Sequence, residues 1–203
     1  MSGITIFFLV LLLIFLFISG WLIAIFNRMV LLKNRFQNAF AQIDVQLKRR
    51  HDLIPNLVET AKGYLKHEHE TLQEVIEARN GAVKGLTGLK NSLNNPDLVQ
   101  AFAVAEQNLQ SALGRFSMVI ENYPEIKADK HMVMVHEEIT STENKIEFSR
   151  QHYNDCVTEY NLYRQYFPNN IVAGPLGHGP DATLLEFDDK PQIDVAPVVN
   201  FKE

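Results

Sequence analysis

The chain has 203 residues and a formal charge of −5, and 46% of its residues are hydrophobic. Its acidic balance argues against a nucleic-acid partner, and its one cysteine, Cys156, excludes an intrachain disulfide. The charge is uneven: residues 27–50 carry six Lys and Arg and one Asp, whereas residues 51–203 carry 13 Lys and Arg against 23 Asp and Glu.

Residues Ile4 to Phe26 contain no Lys, Arg, Asp, Glu or His. As a helix this run would extend about 35 Å, enough to cross a hydrocarbon core ~30 Å thick. A cleaved signal peptide fits poorly. Only Met1-Ser2-Gly3 precedes the run, the run is too long for an h-region, and no A-x-A site follows it. The run is therefore expected to be a transmembrane anchor, with the lipid bilayer as its first partner. Gly20 and Ala24 form a small-xxx-small pair on it, a weak motif for helix association and so for a homo-oligomer. Arg28, Lys33 and Arg35 follow the run and no cation precedes it. The positive-inside rule then puts the N-terminus outside and the remainder in the cytoplasm. The alternative is a periplasmic bundle.

Behind the anchor, apolar residues recur at alternating steps of four and three, the spacing that lines one side of a helix. The stripes run from Phe36 to Tyr64, Leu72 to Leu93, Leu98 to Tyr123 and Met132 to Phe167. They predict an all-α fold, an elongated antiparallel four-helix bundle over residues 27–167, with helices at about 27–65, 68–93, 96–123 and 130–167. The first stripe continues backward through Met29 and Phe26 into the anchor, and no Pro or Gly lies between Trp21 and Ile54. One continuous helix is expected, kinked at Pro55. Asn95-Pro96-Asp97 reads as a helix start and Asp129 as a cap. Gly81, Gly85 and Gly88 are expected to fray the second helix.

Residues 168–203 lack helical period and hold five of the eight prolines. This acidic, Pro/Gly-rich tail is expected to be disordered. Its apolar patches keep two alternatives open, a partner-binding segment or one that packs back on the bundle.

No H-E-x-x-H, E-x-x-H, C-x-x-C, G-x-S-x-G or phosphate-binding loop is present, so neither a catalytic constellation nor a cofactor is implied. The His67-Glu68-His69-Glu70 cluster is expected to be a solvated corner. The unusual feature is charge in core positions. Arg50 and Arg79 interrupt two apolar stripes and need partners, among which Asp44, Glu106, Glu121, Glu138 and Glu143 are the candidates. Around Arg50, the run Lys48-Arg49-Arg50-His51-Asp52 is the candidate interaction site. Asp44–Lys48 and Lys48–Asp52 are spaced for helical ion pairs.

The segment from Gln37 to Asn80 resembles the LemA family of bacterial membrane proteins. So do Glu121–Lys130, Glu137–Asn161, Phe167–Gly174 and the ending Pro197–Phe201. Phe40 stands where the family's tryptophan is expected, and residues 81–95 and 131–136 depart from the pattern, as does the long tail after Pro175. The resemblance implies an N-terminal membrane helix followed by a helical bundle in a bacterial inner membrane. It implies no catalytic residues, and relatives are associated with magnetosome membrane formation. Together these features favour a non-catalytic scaffold or adaptor for a membrane or envelope protein. A sensory bundle binding an anionic ligand at Arg50 and Arg79 is the alternative, and an enzyme of unidentified class stands behind both.

Overall fold

The computed structural model describes residues 3–65, 68–90 and 92–186. Six helices follow one another, and no strand occurs among the described residues: α1 (Gly3–Lys62), α2 (His69–Lys90), α3 (Pro96–Glu121), α4 (Pro124–Lys127), α5 (Lys130–Gln165) and α6 (Asn169–Ala173). The candidate membrane span and the first bundle helix are a single 60-residue element that continues through Pro55. α5 packs antiparallel along the second half of α1, and α2 and α3 form a hairpin that packs against α1 through α2. The chain is thus an all-α protein, with an apolar N-terminal helix continuing into a four-helix bundle.

Local chemistry sets several boundaries. The Asn95 side chain accepts from the Asp97 amide at 2.9 Å, with Pro96 at the first helical position. Asp129 accepts from the amides of His131 and Met132 at 2.8 and 3.0 Å. These N–H donors and the Tyr64 hydroxyl hold the Asp129 carboxyl below its ordinary range. Pro124 does not merely stop α3; it opens the single turn α4, which tucks Ile126 into the core.

The apolar interior has two halves. Nearer the anchor, Phe36, Phe40, Leu47, Leu86, Leu89, Phe102, Tyr153 and Tyr160 pack together. Farther out, Ile54, Leu57, Val75, Leu109, Phe116 and Ile139 form the second half. A third, small cluster joins Ile25 and Met29 of α1 to Ala173 of α6.

The details depart from expectation in four places. At the foot of α1 the buried residues are Ile25, Met29 and Leu32, whereas Phe26 is 40% exposed. A 3.6-residue helix drifts out of a strict seven-residue repeat, so the stripe shifts by one position. Phe167, the last member of the fourth stripe, is 81% exposed because α5 ends at Gln165. α2 is regular through all three glycines. At Gly85 a Cβ would come within 3.3 Å of the Phe102 Cα, so the missing side chain lets α2 and α3 approach.

The fourth departure is the tail. Residues 174–186 run back along α5. Asn161 brackets Ala182, accepting from its amide and donating to its carbonyl at 2.9 Å each, and Asn154 does the same for Leu185 at 2.9 and 3.0 Å. The Tyr153 hydroxyl donates to the Thr183 carbonyl at 3.0 Å, and Arg164 Nε donates to Asp181 at 2.9 Å. Ala182 and Leu185 are buried in the anchor-side core. The expected disorder therefore fails for residues 168–186; the patch Val198, Val199 and Phe201 lies outside the described residues.

Gly81 and Gly88 have open space where a Cβ would stand. Gly81→Ala and Gly88→Ala should each stabilise the full-length protein by about 0.5–1 kcal/mol. Gly85→Val should destabilise it. Guanidinium unfolding in detergent, followed by helical circular dichroism, reads both.

Candidate functional site

Between the two apolar halves lies a polar layer contributed by all four bundle helices. α1 supplies Arg50 and His51 between Leu47 and Ile54. α3 supplies Glu106 between Phe102 and Leu109, and α5 supplies Thr142 and Glu143 between Ile139 and Ile146. Arg79 of α2 lies at its edge. Arg50, His51, Glu106 and Thr142 are all buried.

Glu106 is the centre. One carboxylate oxygen accepts from Arg50 Nη2, and the other accepts from His51 Nε2 at 2.9 Å. Two consecutive α1 residues thus converge on one acid from α3. Arg50 Nη1 also lies 3.9 Å from Glu143 of α5, while its Nε is buried with no hydrogen-bond partner among the described residues. Thr142 closes its hydroxyl locally on the Ile139 carbonyl at 2.7 Å.

Arg79 does something different. Its Nε donates to the main-chain carbonyl of His51 at 3.0 Å. That carbonyl would ordinarily accept from the amide four residues on, and residue 55 is a proline, which has none. Arg79 therefore supplies the donor that Pro55 withholds, and its Nη2 also lies 3.8 Å from Asp52. A buried carbonyl left unmatched costs about 1–3 kcal/mol.

The rest of the basic run splits by helix face. Lys48 pairs with Asp44 at 3.1 Å, and Asp44 also meets Lys90 of α2. The Asp52 side chain is 79% exposed and leans toward Arg79, in place of the expected Lys48 pair. Arg49 points away from the layer and pairs with Glu138 of α5. The five consecutive residues are thus not one patch: Arg50, His51 and Arg79 come together, and Lys48 and Arg49 do not join them. Gly20 and Ala24 lie on the exposed surface of the apolar half of α1, where Gly20 has no neighbour at its Cβ position. Elsewhere, a groove of about 1060 Å³ runs along the outside of α1 and α5, with Val45 and Phe148 in its walls.

One buried ionisable residue escaped the sequence. His178, in the segment after α6, is 5% exposed, with its Nδ1 3.1 Å from the Tyr160 hydroxyl and its ring edge-on to Phe26 at 6.0 Å. Burial, then the Lys33 ammonium, push its imidazole below the ordinary histidine range. Nothing in the local pattern distinguishes it from a solvated histidine in a Pro/Gly-rich tail.

The LemA family model matches residues 39–201. The chain belongs to the LemA family. It is 27% identical over 151 residues to Protein LemA of Metamycoplasma hominis, a match covering 74% of this chain and 64% of that protein. It is 26% identical over 166 residues to Magnetosome protein MamQ 2 of Paramagnetospirillum magneticum and 25% identical to Magnetosome protein MamQ of Magnetospirillum gryphiswaldense, each match covering 73% of this chain and 60% of the relative. The chain thus spans less than two thirds of the length of these curated relatives. The family match includes the polar layer and begins after the apolar half of α1.

Arg79→Met should cost about 1–3 kcal/mol in the native background. In a Pro55→Ala background the helix regains its own amide donor, so the same change should cost markedly less; a double-mutant cycle by chemical unfolding reads the difference. For His178, the docked segment favours the neutral ring. Docking is then at full strength above the ordinary histidine pKa of ~6.5 and weakens as pH falls below it, because the released ring takes up a proton that the docked ring resists. After correction for the intrinsic rate, exchange of the Ala182 and Leu185 amides should accelerate below that pH, and His178→Gln should flatten the step.

Proposed function

We propose that this LemA-family protein is a non-catalytic, membrane-anchored scaffold or adaptor that presents its bundle to a membrane or envelope protein. The observation that carries this reading is the continuity of α1. A single helix from Gly3 to Lys62 joins an apolar span to the bundle core, so the bundle's distance and angle from a membrane are set by helix geometry instead of by a linker. The internal pairing of the charged layer supports the same view. An anion-binding bundle would need a guanidinium free to meet its ligand, whereas Arg50 is engaged by Glu106 and Arg79 by the His51 carbonyl. Relatives named as magnetosome proteins fit a role in organising a bacterial membrane structure. The charge bias after the span favours a cytoplasmic bundle in the inner membrane.

Photocrosslinking of the full-length protein in native membranes, followed by solubilisation and affinity recovery, tests the proposal. The expected result is a discrete adduct with another membrane protein or with a second copy of the chain, the latter weakened by Gly20→Leu with Ala24→Leu. Recovery of a lone monomer at all crosslinker positions would overturn it.

A further inference from the structure

We infer that the corner between α5 and α6 is a second membrane contact, dipping its exposed apolar side chains into the bilayer beside the anchor. The inference rests on the anchor reading and adds a surface to it. Tyr166, Phe167 and Ile171 are 59%, 81% and 63% exposed, with no part of the described chain covering them. Three large apolar side chains at one corner are costly in water.

The register along α1 shows what lies beside them. Glu159 of α5 pairs with both Arg28 and Arg35, at 2.8 and 3.4 Å, so it sits at the level of the residues between them. From Glu159 the helix descends antiparallel to α1 for six residues, about 9 Å at ~1.5 Å per residue. That brings Gln165, its last residue, to the level of Ile25 and Phe26. The packing agrees. Ala173 of α6 is buried against Ile25 and Met29, with Tyr163 and Val172 alongside, and His178 meets the Phe26 ring. Ile25 and Phe26 are the last residues of the uncharged run. If that run spans a bilayer, the corner stands at the hydrocarbon boundary. Phe26, Tyr166 and Phe167 then share one level, with Trp21 about 7.5 Å deeper at ~1.5 Å per residue, the arrangement of an interfacial aromatic belt. Arg28 lies about 3 Å above, at headgroup height, with Lys33 and Arg35 about one and two turns farther out. The occupant is therefore the lipid surface, and the contact holds whichever side of the membrane the bundle occupies.

The test uses the full-length protein with Cys156→Ser, reconstituted in phosphatidylcholine–phosphatidylglycerol vesicles. Single cysteines replace Phe167, Ile171, Ile14 or Phe148, each carrying an environment-sensitive fluorophore. All four side chains are exposed, and helical circular dichroism checks that each labelled protein keeps its fold. At Phe167 and Ile171 the expected result is a blue-shifted emission and loss of intensity with lipids brominated at a shallow acyl position. Ile14 should be quenched by deep bromines and Phe148 by neither. If Ile14 is quenched while Phe167 and Ile171 behave like Phe148, the anchor stands and the second contact is refuted. If Ile14 is not quenched, the anchor reading fails and the contact with it.

Discussion

A proline has no amide hydrogen to give, and at position 55 that leaves the carbonyl of His51 without its helical donor, in the last quarter of the helix on which the whole molecule is built. The bundle answers the deficit from outside. Arg79, on a different helix, turns its Nε onto that carbonyl. The His51 side chain points to Glu106 of α3, and Arg50 binds the same carboxylate. One missing hydrogen on α1 is thereby linked to α2, and the neighbouring charges to α3 and α5. Buried charges of this kind are poor sources of net stability, since desolvation offsets most of the attraction. Their effect is to penalise wrong alignments. A slip of α1 against α3 by one turn would bury Arg50 or Glu106 alone, at a cost of several kcal/mol.

That layer also explains how the interior is organised. The apolar core on the anchor side and the one beyond it are each made of ordinary leucine, isoleucine and phenylalanine packing, which tolerates sliding. The layer between them does not. A helix of 60 residues gains little orientation from its own hydrogen bonds; what fixes it is the antiparallel α5 along its second half and the α2–α3 hairpin, which packs against it through α2. Gly85 lets the hairpin close tightly. The returning segment then seals the anchor-side core through Asn154 and Asn161, each of which matches both the donor and the acceptor of one passing residue. An extended segment with no strand partner would otherwise leave such groups unmatched at the edge of an apolar core.

Much of this was legible in the residue pattern. The alternating steps of four and three identified four helices, and Asn95-Pro96-Asp97 and Asp129 marked two of their starts, because capping is a local interaction between near neighbours in the chain. Arg50 and Arg79 stood out as charges in apolar stripes. Their partners were less legible. Five acids were candidates for Arg50, and the choice of Glu106 depends on how far α3 is rotated and translated against α1. Arg79 was sought a carboxylate, and its Nε found a carbonyl. The clue was present in Pro55, four residues after His51, but it names an orphaned acceptor and not the helix that will reach it. The docking of the tail is one of the alternatives the residues leave open, for a related reason. Proline, glycine and acidic residues describe a segment with no structure of its own, and whether it docks depends on the surface that α5 offers it.

The sequence by itself determined the apolar span, the four long helices, two caps and the continuity of the span with the first bundle helix, because each depends on residues within a few turns of one another. Only the tertiary structure decided which charges meet, where the tail lies, and that Phe167 faces outward from the foot of the bundle instead of into its core. These depend on the relative height and rotation of helices distant in the chain. A periodic stripe specifies which side of a helix is apolar, but every turn of such a stripe resembles the next. Register is therefore set by the few non-repeating groups, Arg50, Glu106, His51 and Arg79, and becomes visible only when the helices are brought together.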